Sequence, residues 1–81
     1  VCTSPTRFFV HESIFEQYAD AFVNRAAETI VGNGFEPNVE MGPLANDRRV
    51  MALTELVEDA RDRGAEIRTG CNRLCDKGYF F

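Results

Sequence analysis

With 81 residues, 44% of them hydrophobic, and charged side chains mixed throughout, the chain has the make-up of a globular protein but the length of one small domain at most. A domain of that size buries only about 60 to 65% of the surface its unfolded chain exposes, so its independent stability is expected to be marginal. The formal net charge of −4, with Arg and Lys interleaved among acids, leaves no basic stripe for nucleic acid, and no apolar run approaches the ~18 residues of a membrane span.

The first expected element follows Pro5. Thr6-Arg7-Phe8-Phe9-Val10 is rich in aromatic and β-branched residues and apolar on both faces, as in a strand covered on two sides in a parallel sheet. Ser13-Ile14-Phe15-Glu16 has the S-x-x-E form of a capping box, which predicts a helix from Ile14. From there Ile14, Tyr18, Phe22, Ala26 and Ile30 recur at helical spacing, flanked by Phe15, Ala19, Val23 and Ala27, while Glu16, Asp20, Asn24 and Glu28 take the opposite face.

The breakers Gly32-Asn33-Gly34, Pro37 and Gly42-Pro43 make residues 32–45 a long connection, of the kind that is usually functional or packed against something. Asn46 or Asp47 can cap a second helix whose buried stripe is Val50, Leu53, Leu56, Val57 and Ala60, with Gly64 as its left-handed stop and Arg61 and Arg63 near its negative end. Ala65 to Thr69 reads as a short strand, followed by a polar turn and the apolar run Tyr79-Phe80-Phe81. The order is strand, helix, helix, strand, strand: an α/β arrangement supplying part of a parallel-sheet layer. Further strands, from missing chain or another copy, are expected to complete it. A sequence that stops within a strand is expected to be cut from something longer.

Chemistry-bearing residues are few. Cys2, Cys71 and Cys75 are an odd number at irregular spacing, which makes no disulfide framework and suits a reducing, cytoplasmic setting. Cys71 and Cys75 have no neighbouring His and read as structural rather than metal-binding. Cys2 can be a nucleophile if a base and an oxyanion site are supplied. The lone His11 lies about 20 to 30 Å away along an extended chain, which argues against a local Cys-His pair. Gly32-Asn33-Gly34 lacks the third glycine of a dinucleotide fingerprint and follows a helix, so it reads as a helix end and turn. Met41 to Asn46 reads as a rigid lead into the second helix, and Arg49 as a solvated side chain unless a ligand lies near that helix start.

Taken together, VCTSPTRFFV, HESIFEQY, VGNGFEPNVEMGPLAN and the ending GYFF resemble, in this order and spacing, the NAD(P)-dependent aldehyde dehydrogenase superfamily over the whole chain. The resemblance implies that residues 1–81 are part of the thiol-bearing catalytic domain, and that the dinucleotide-binding domain, an oxyanion-hole Asn and a Glu base lie upstream. It gives Cys2 the role of nucleophile, attacking an aldehyde to form a thiohemiacetal and then, after hydride transfer to NAD or NADP, a thioester that water releases as the acid. The Cys2 amide would help hold the oxyanion, and Val1 and Thr3 would line the pocket. Arg49 matches a position near the nicotinamide ribose, and Arg7 a structural support of the catalytic turn. The parent is expected to be a homodimer or homotetramer acting on a small-molecule aldehyde.

The 81 residues alone are expected to be inactive and to hold no cofactor tightly. An alternative is a non-catalytic binding or self-association module that pairs through exposed strand edges. A weaker alternative is a thiol hydrolase with a base from elsewhere.

Overall fold

The computed structural model describes residues 3–81, and its regular structure is helical: a single 3-10 turn, Glu12–Ile14, runs into α1, Phe15–Ala27, and α2 spans Asp47–Asp62. The start of the helical run differs from the expected capping box. His11, extended at φ −62° and ψ 139°, is the cap, its Nδ1 accepting the Ser13 amide at 3.1 Å and lying 2.8 Å from the Ser13 hydroxyl. Ser13 is thereby drawn inside the turn, and Glu16 is engaged by Arg68 instead of by the helix start. At the other end α1 closes with the Glu28 amide on the Asn24 carbonyl, so the apolar stripe stops before Ile30.

α2 follows its sequence signals closely. Asn46 is extended at φ −166°, and its Oδ1 accepts the Arg49 amide at 3.1 Å, satisfying a donor that the first turn leaves free. Gly64 sits at φ +96°, where an L side chain is strained. Its amide reaches the Arg61 carbonyl and the Ala65 amide reaches the Ala60 carbonyl, each at 2.9 Å, the paired bonds of a Schellman ending.

The connection between the helices is closed by one carboxylate. Glu40 accepts the Ile30 amide at 3.1 Å through Oε2 and the Arg25 guanidinium at 3.0 Å through Oε1. The Met41 amide donates to the Ile30 carbonyl at 3.2 Å and the Gly32 amide to the Met41 carbonyl at 3.0 Å, forming a parallel bridge of Val31 with Met41, and the Glu40 amide shares the Ile30 carbonyl at 2.8 Å. A Cβ at Gly32 would lie 3.3 Å from a Val39 methyl, a tight approach that would press on that side chain.

The expected strands Thr6–Val10, 65–69 and 79–81 do not form: among the described residues there is no strand, and the parallel-sheet layer is absent. A ladder needs a second backbone alongside, and these segments are not paired with one another. The Tyr79 and Phe80 carbonyls accept instead from the Leu44 and Leu74 amides, at 2.9 and 3.0 Å. What the surface offers is apolar side chains.

Val50, 5% exposed, is the only buried hydrophobic residue among those described. The exposed area is 7087 Å², against about 4,900 Å² for a folded monomer of this mass. The radius of gyration is 14.4 Å, against about 12 Å for a compact chain of this length. The second helix therefore has a half-formed stripe: Leu53, Val57 and Ala60 are half-buried and Leu56 remains 63% exposed. Residues 65–69 are held to α1 by Arg68, which meets Glu16 at 3.2 Å and Glu66 at 3.0 Å and lies over the Phe15 ring, 5.8 Å from its centroid.

With so little buried, the isolated 81-residue polypeptide should melt without a cooperative transition. Calorimetry should show no sharp endotherm; a two-state peak with matching calorimetric and van't Hoff enthalpies would contradict this. The Glu40 closure should be acid-sensitive. The Ile30 amide, and then Arg25, hold its carboxyl below the ordinary value of 4.5. Its contribution is thus present above that value and lost as pH falls through the lowered one. Protection of the Ile30 amide, corrected for the intrinsic slowing of exchange in acid, should fall as pH drops, and Glu40→Ala should show the reduced protection already at neutral pH. Equal protection in the variant would rule out the closure.

Candidate functional site

The family resemblance implies a reactive thiol at Cys2. Cys2 and its neighbour Val1 lie outside the described residues, and the described part of the site begins at Thr3, which is exposed. From Thr3 the chain runs without a helix to His11, and its attachment to the fold is aromatic. The Phe8 ring packs against Phe22 at 5.1 Å between centroids and against Tyr18 at 6.4 Å, both tilted, and Tyr18 and Phe22 are 6.1 Å apart. Such tilted pairs set the positive edge of one ring towards the negative face of the next.

The segment keeps the two-residue alternation of an extended chain although it pairs with no strand. Phe8 and Val10 line a groove with Phe15, Tyr18, Ala19 and Phe22 of α1, whereas Phe9 is 97% exposed. The spacing of Tyr18 and Phe22, one helical turn apart, is what creates a seat for the Phe8 ring. Arg7 is exposed and makes no hydrogen bond among the described residues.

Arg49 stands on the first turn of α2, exposed, with its amide on Asn46 and its guanidinium in no ion pair among the described residues. It can offer a cation beside a helix start, where an anionic or hydroxylated group is favoured. Cys71 and Cys75 are free and exposed. Cys71 has a left-handed backbone at φ 62°, and the Cys75 thiol donates to the Lys77 carbonyl at 2.8 Å. Among the described residues no group of His, Cys, Asp and Glu could hold a metal ion. His11 is engaged as a helix cap.

Two groups that shape this part of the molecule carry no local signal in the sequence. Glu40 is fifteen positions from Arg25, and Arg68 is fifty-two positions from Glu16. The aromatic seat was partly visible, because Tyr18 and Phe22 share a helix face.

The profile of the "Aldehyde dehydrogenase family" matches residues 1–81. An aldehyde dehydrogenase of Enchytraeus buchholzi is 40% identical over 80 residues, covering 99% of this chain and 16% of that protein. A succinate-semialdehyde dehydrogenase [NADP(+)] of Mycobacterium bovis is 39% identical, over 99% of this chain and 18% of that protein. The NAD+ complex of an aldehyde dehydrogenase from Bacillus cereus superposes with a TM-score of 0.84 at 35% identity, covering 89% of this chain and 15% of that one. A betaine aldehyde dehydrogenase from Staphylococcus aureus, in complex with NAD+ and with a BME-modified cysteine, superposes at 0.87 with 28% identity, covering 95% of this chain and 16% of that one. The chain thus spans about a sixth of the length of the relatives it matches.

The aromatic attachment yields a direct expectation. Phe8 is 49% exposed, so Phe8→Ala should remove about 1 to 2 kcal/mol of packing and raise local opening of the α1 amides about tenfold or more. Hydrogen exchange measures this, with Phe8→Leu expected to fall between the two. Unchanged exchange in α1 would show that the ring does not hold the segment.

Proposed function

The chain belongs to the aldehyde dehydrogenase family, and from that premise we propose that it carries the nucleophile of an enzyme that oxidises a small-molecule aldehyde to the carboxylic acid. The observation that carries this reading is the family match over the whole chain, Cys2 included. Cys2 is the residue that reacts: its thiolate attacks the carbonyl carbon, a C–S bond forms, and the former carbonyl oxygen becomes the oxyanion of a thiohemiacetal. The Cys2 backbone amide supplies one donor to that oxygen, and its value lies in being fixed before charge develops. After oxidation the thioester is opened by water, which releases the acid and returns the thiol.

The chain's own contribution to this chemistry is positional. Val1 and Thr3 flank the thiol and form two walls of the aldehyde pocket. Phe8, five residues beyond Thr3 and seated on Tyr18 and Phe22, ties the segment that bears Cys2 to α1. A nucleophile held in one orientation gains rate through proximity, and a displacement of about 1 Å can cost 10²-fold.

The relatives use either cofactor, NADP+ in the Mycobacterium bovis enzyme and NAD+ in the Bacillus cereus complex. Arg49 suits a ribose or phosphate oxygen, since it is exposed and unpaired among the described residues. Nothing else in these residues cradles a dinucleotide, so the remainder of such a site belongs to a protein of the relatives' length. NAD(P)+, when bound there, supplies the hydride acceptor. The same length would bring the base, complete the apolar contacts that α1 and α2 leave open, and form the homodimer or homotetramer. The free thiols of Cys71 and Cys75 suit the reducing cytoplasm. No helix among the described residues is long and apolar enough to cross a membrane.

In a protein of the relatives' length, Cys2→Ser should lower aldehyde-dependent NAD(P)H formation by about 10³-fold or more while leaving cofactor affinity unchanged. The 81-residue polypeptide should show no aldehyde-dependent NAD(P)H formation. Retained turnover in the variant would remove Cys2 as nucleophile, and turnover by the 81 residues would place the base and the cofactor site within them.

A further inference from the structure

The tip of the connection between the helices carries a feature that aldehyde oxidation does not use. Asn33, Gly34 and Phe35 are exposed, and Phe35 is 99% exposed. The Glu36 amide donates to the Asn33 carbonyl at 2.9 Å, and the Phe35 amide to the Asn33 side-chain Oδ1 at 3.1 Å. The Asn33 carboxamide is therefore folded back along its own backbone. The Gly34 amide, which lies between them, makes no hydrogen bond among the described residues.

We infer that Asn33 is a site of self-catalysed deamidation, with the Gly34 backbone nitrogen as the nucleophile. The nitrogen attacks Asn33 Cγ and the succinimide ring closes. The C–N bond to the side-chain amine breaks, and the amine leaves as ammonia with the proton given up by Gly34. Water then opens the ring at either carbonyl. The products are aspartate or, where the chain now runs through the side chain, isoaspartate; overall, one water is taken up and one ammonia lost.

Three local features favour the step. Gly34 has no Cβ to block the approach, and a wide range of backbone angles is open to it. The reacting atoms are in adjacent residues, so the attack is intramolecular. The Phe35 amide, already on Oδ1 at 3.1 Å, is aimed at the oxygen on which negative charge grows during attack.

The other asparagines lack this combination. Asn24 is within α1, Asn46 holds the Arg49 amide as a helix cap, and Asn38 and Asn72 precede the branched Val39 and the long Arg73. The product adds a negative charge to a chain of formal net charge −4. The isoaspartate form also lengthens the main chain inside the turn that the Glu36 amide closes.

The test is incubation of the purified chain at mildly alkaline pH, with peptide mapping and isoaspartate detection over time. Acidic product carrying the mass gain of an NH2-to-OH exchange should build up at position 33, at least as fast as in a short unstructured peptide of the same local sequence. A Cβ at Gly34 would meet nothing within 4 Å, so Gly34→Ala should leave the fold intact while slowing the reaction about tenfold or more by restricting the approach. Conversion slower than in the free peptide, equal rates in the Gly34→Ala chain, or conversion spread evenly over all asparagines would each overturn the assignment.

Discussion

Burial is the quantity in shortest supply in this chain, and the rest of its structure is arranged around that shortage. Only Val50 among the described residues is withdrawn from water, while Phe8, Phe15, Tyr18, Phe22, Leu56 and others remain well exposed. The exposed area exceeds that of a closed monomer, 7087 Å² against about 4,900 Å², and large apolar side chains on both helices and on the segments between and after them share in it. Hydrogen bonds and ion pairs take over the positioning: His11 and Asn46 start the helical segments, Gly64 ends α2, Glu40 closes the connection, and Arg68 holds residues 65–69 to α1. Exposed pairs of this kind fix geometry at small energetic gain.

That division explains which parts of the structure could be read in the sequence. Helix ends are written in neighbouring residues, so Asn46 and Gly64 were recognisable with the bonds they make. The capping box at Ser13 failed because a competing cap, the His11 imidazole, lies two residues earlier, and because Glu16 has a distant partner in Arg68. The strand expected at Thr6 to Val10, apolar on both faces and covered on two sides, has one face seated and the other open, and no strand pairs with it among the described residues. Phe8 and Val10 turn towards α1 and Phe9 away, yet a ladder depends on a second backbone, and side-chain type does not supply one.

The candidate site was legible in a different way. Nothing in the spacing of Cys2 shows that it reacts; no base, metal partner or glycine fingerprint stands near it. The role proposed for it rests on the family to which the chain belongs. What the structure adds is the footing of the segment from Thr3 to Val10, with Phe8 seated between rings that the helical spacing of Tyr18 and Phe22 places one turn apart. In this account the chain provides a nucleophile and a means of aiming it.

The most direct test is to find where the acyl group goes. A protein of the relatives' length, mixed with aldehyde and cofactor, quenched in acid during turnover and digested after its arginines, yields Cys2 in the peptide that ends at Arg7. The account predicts the acyl mass on that peptide and none on the peptides that hold Cys71 and Cys75. Acyl label on either of those cysteines, or turnover with no label on Cys2, would contradict it.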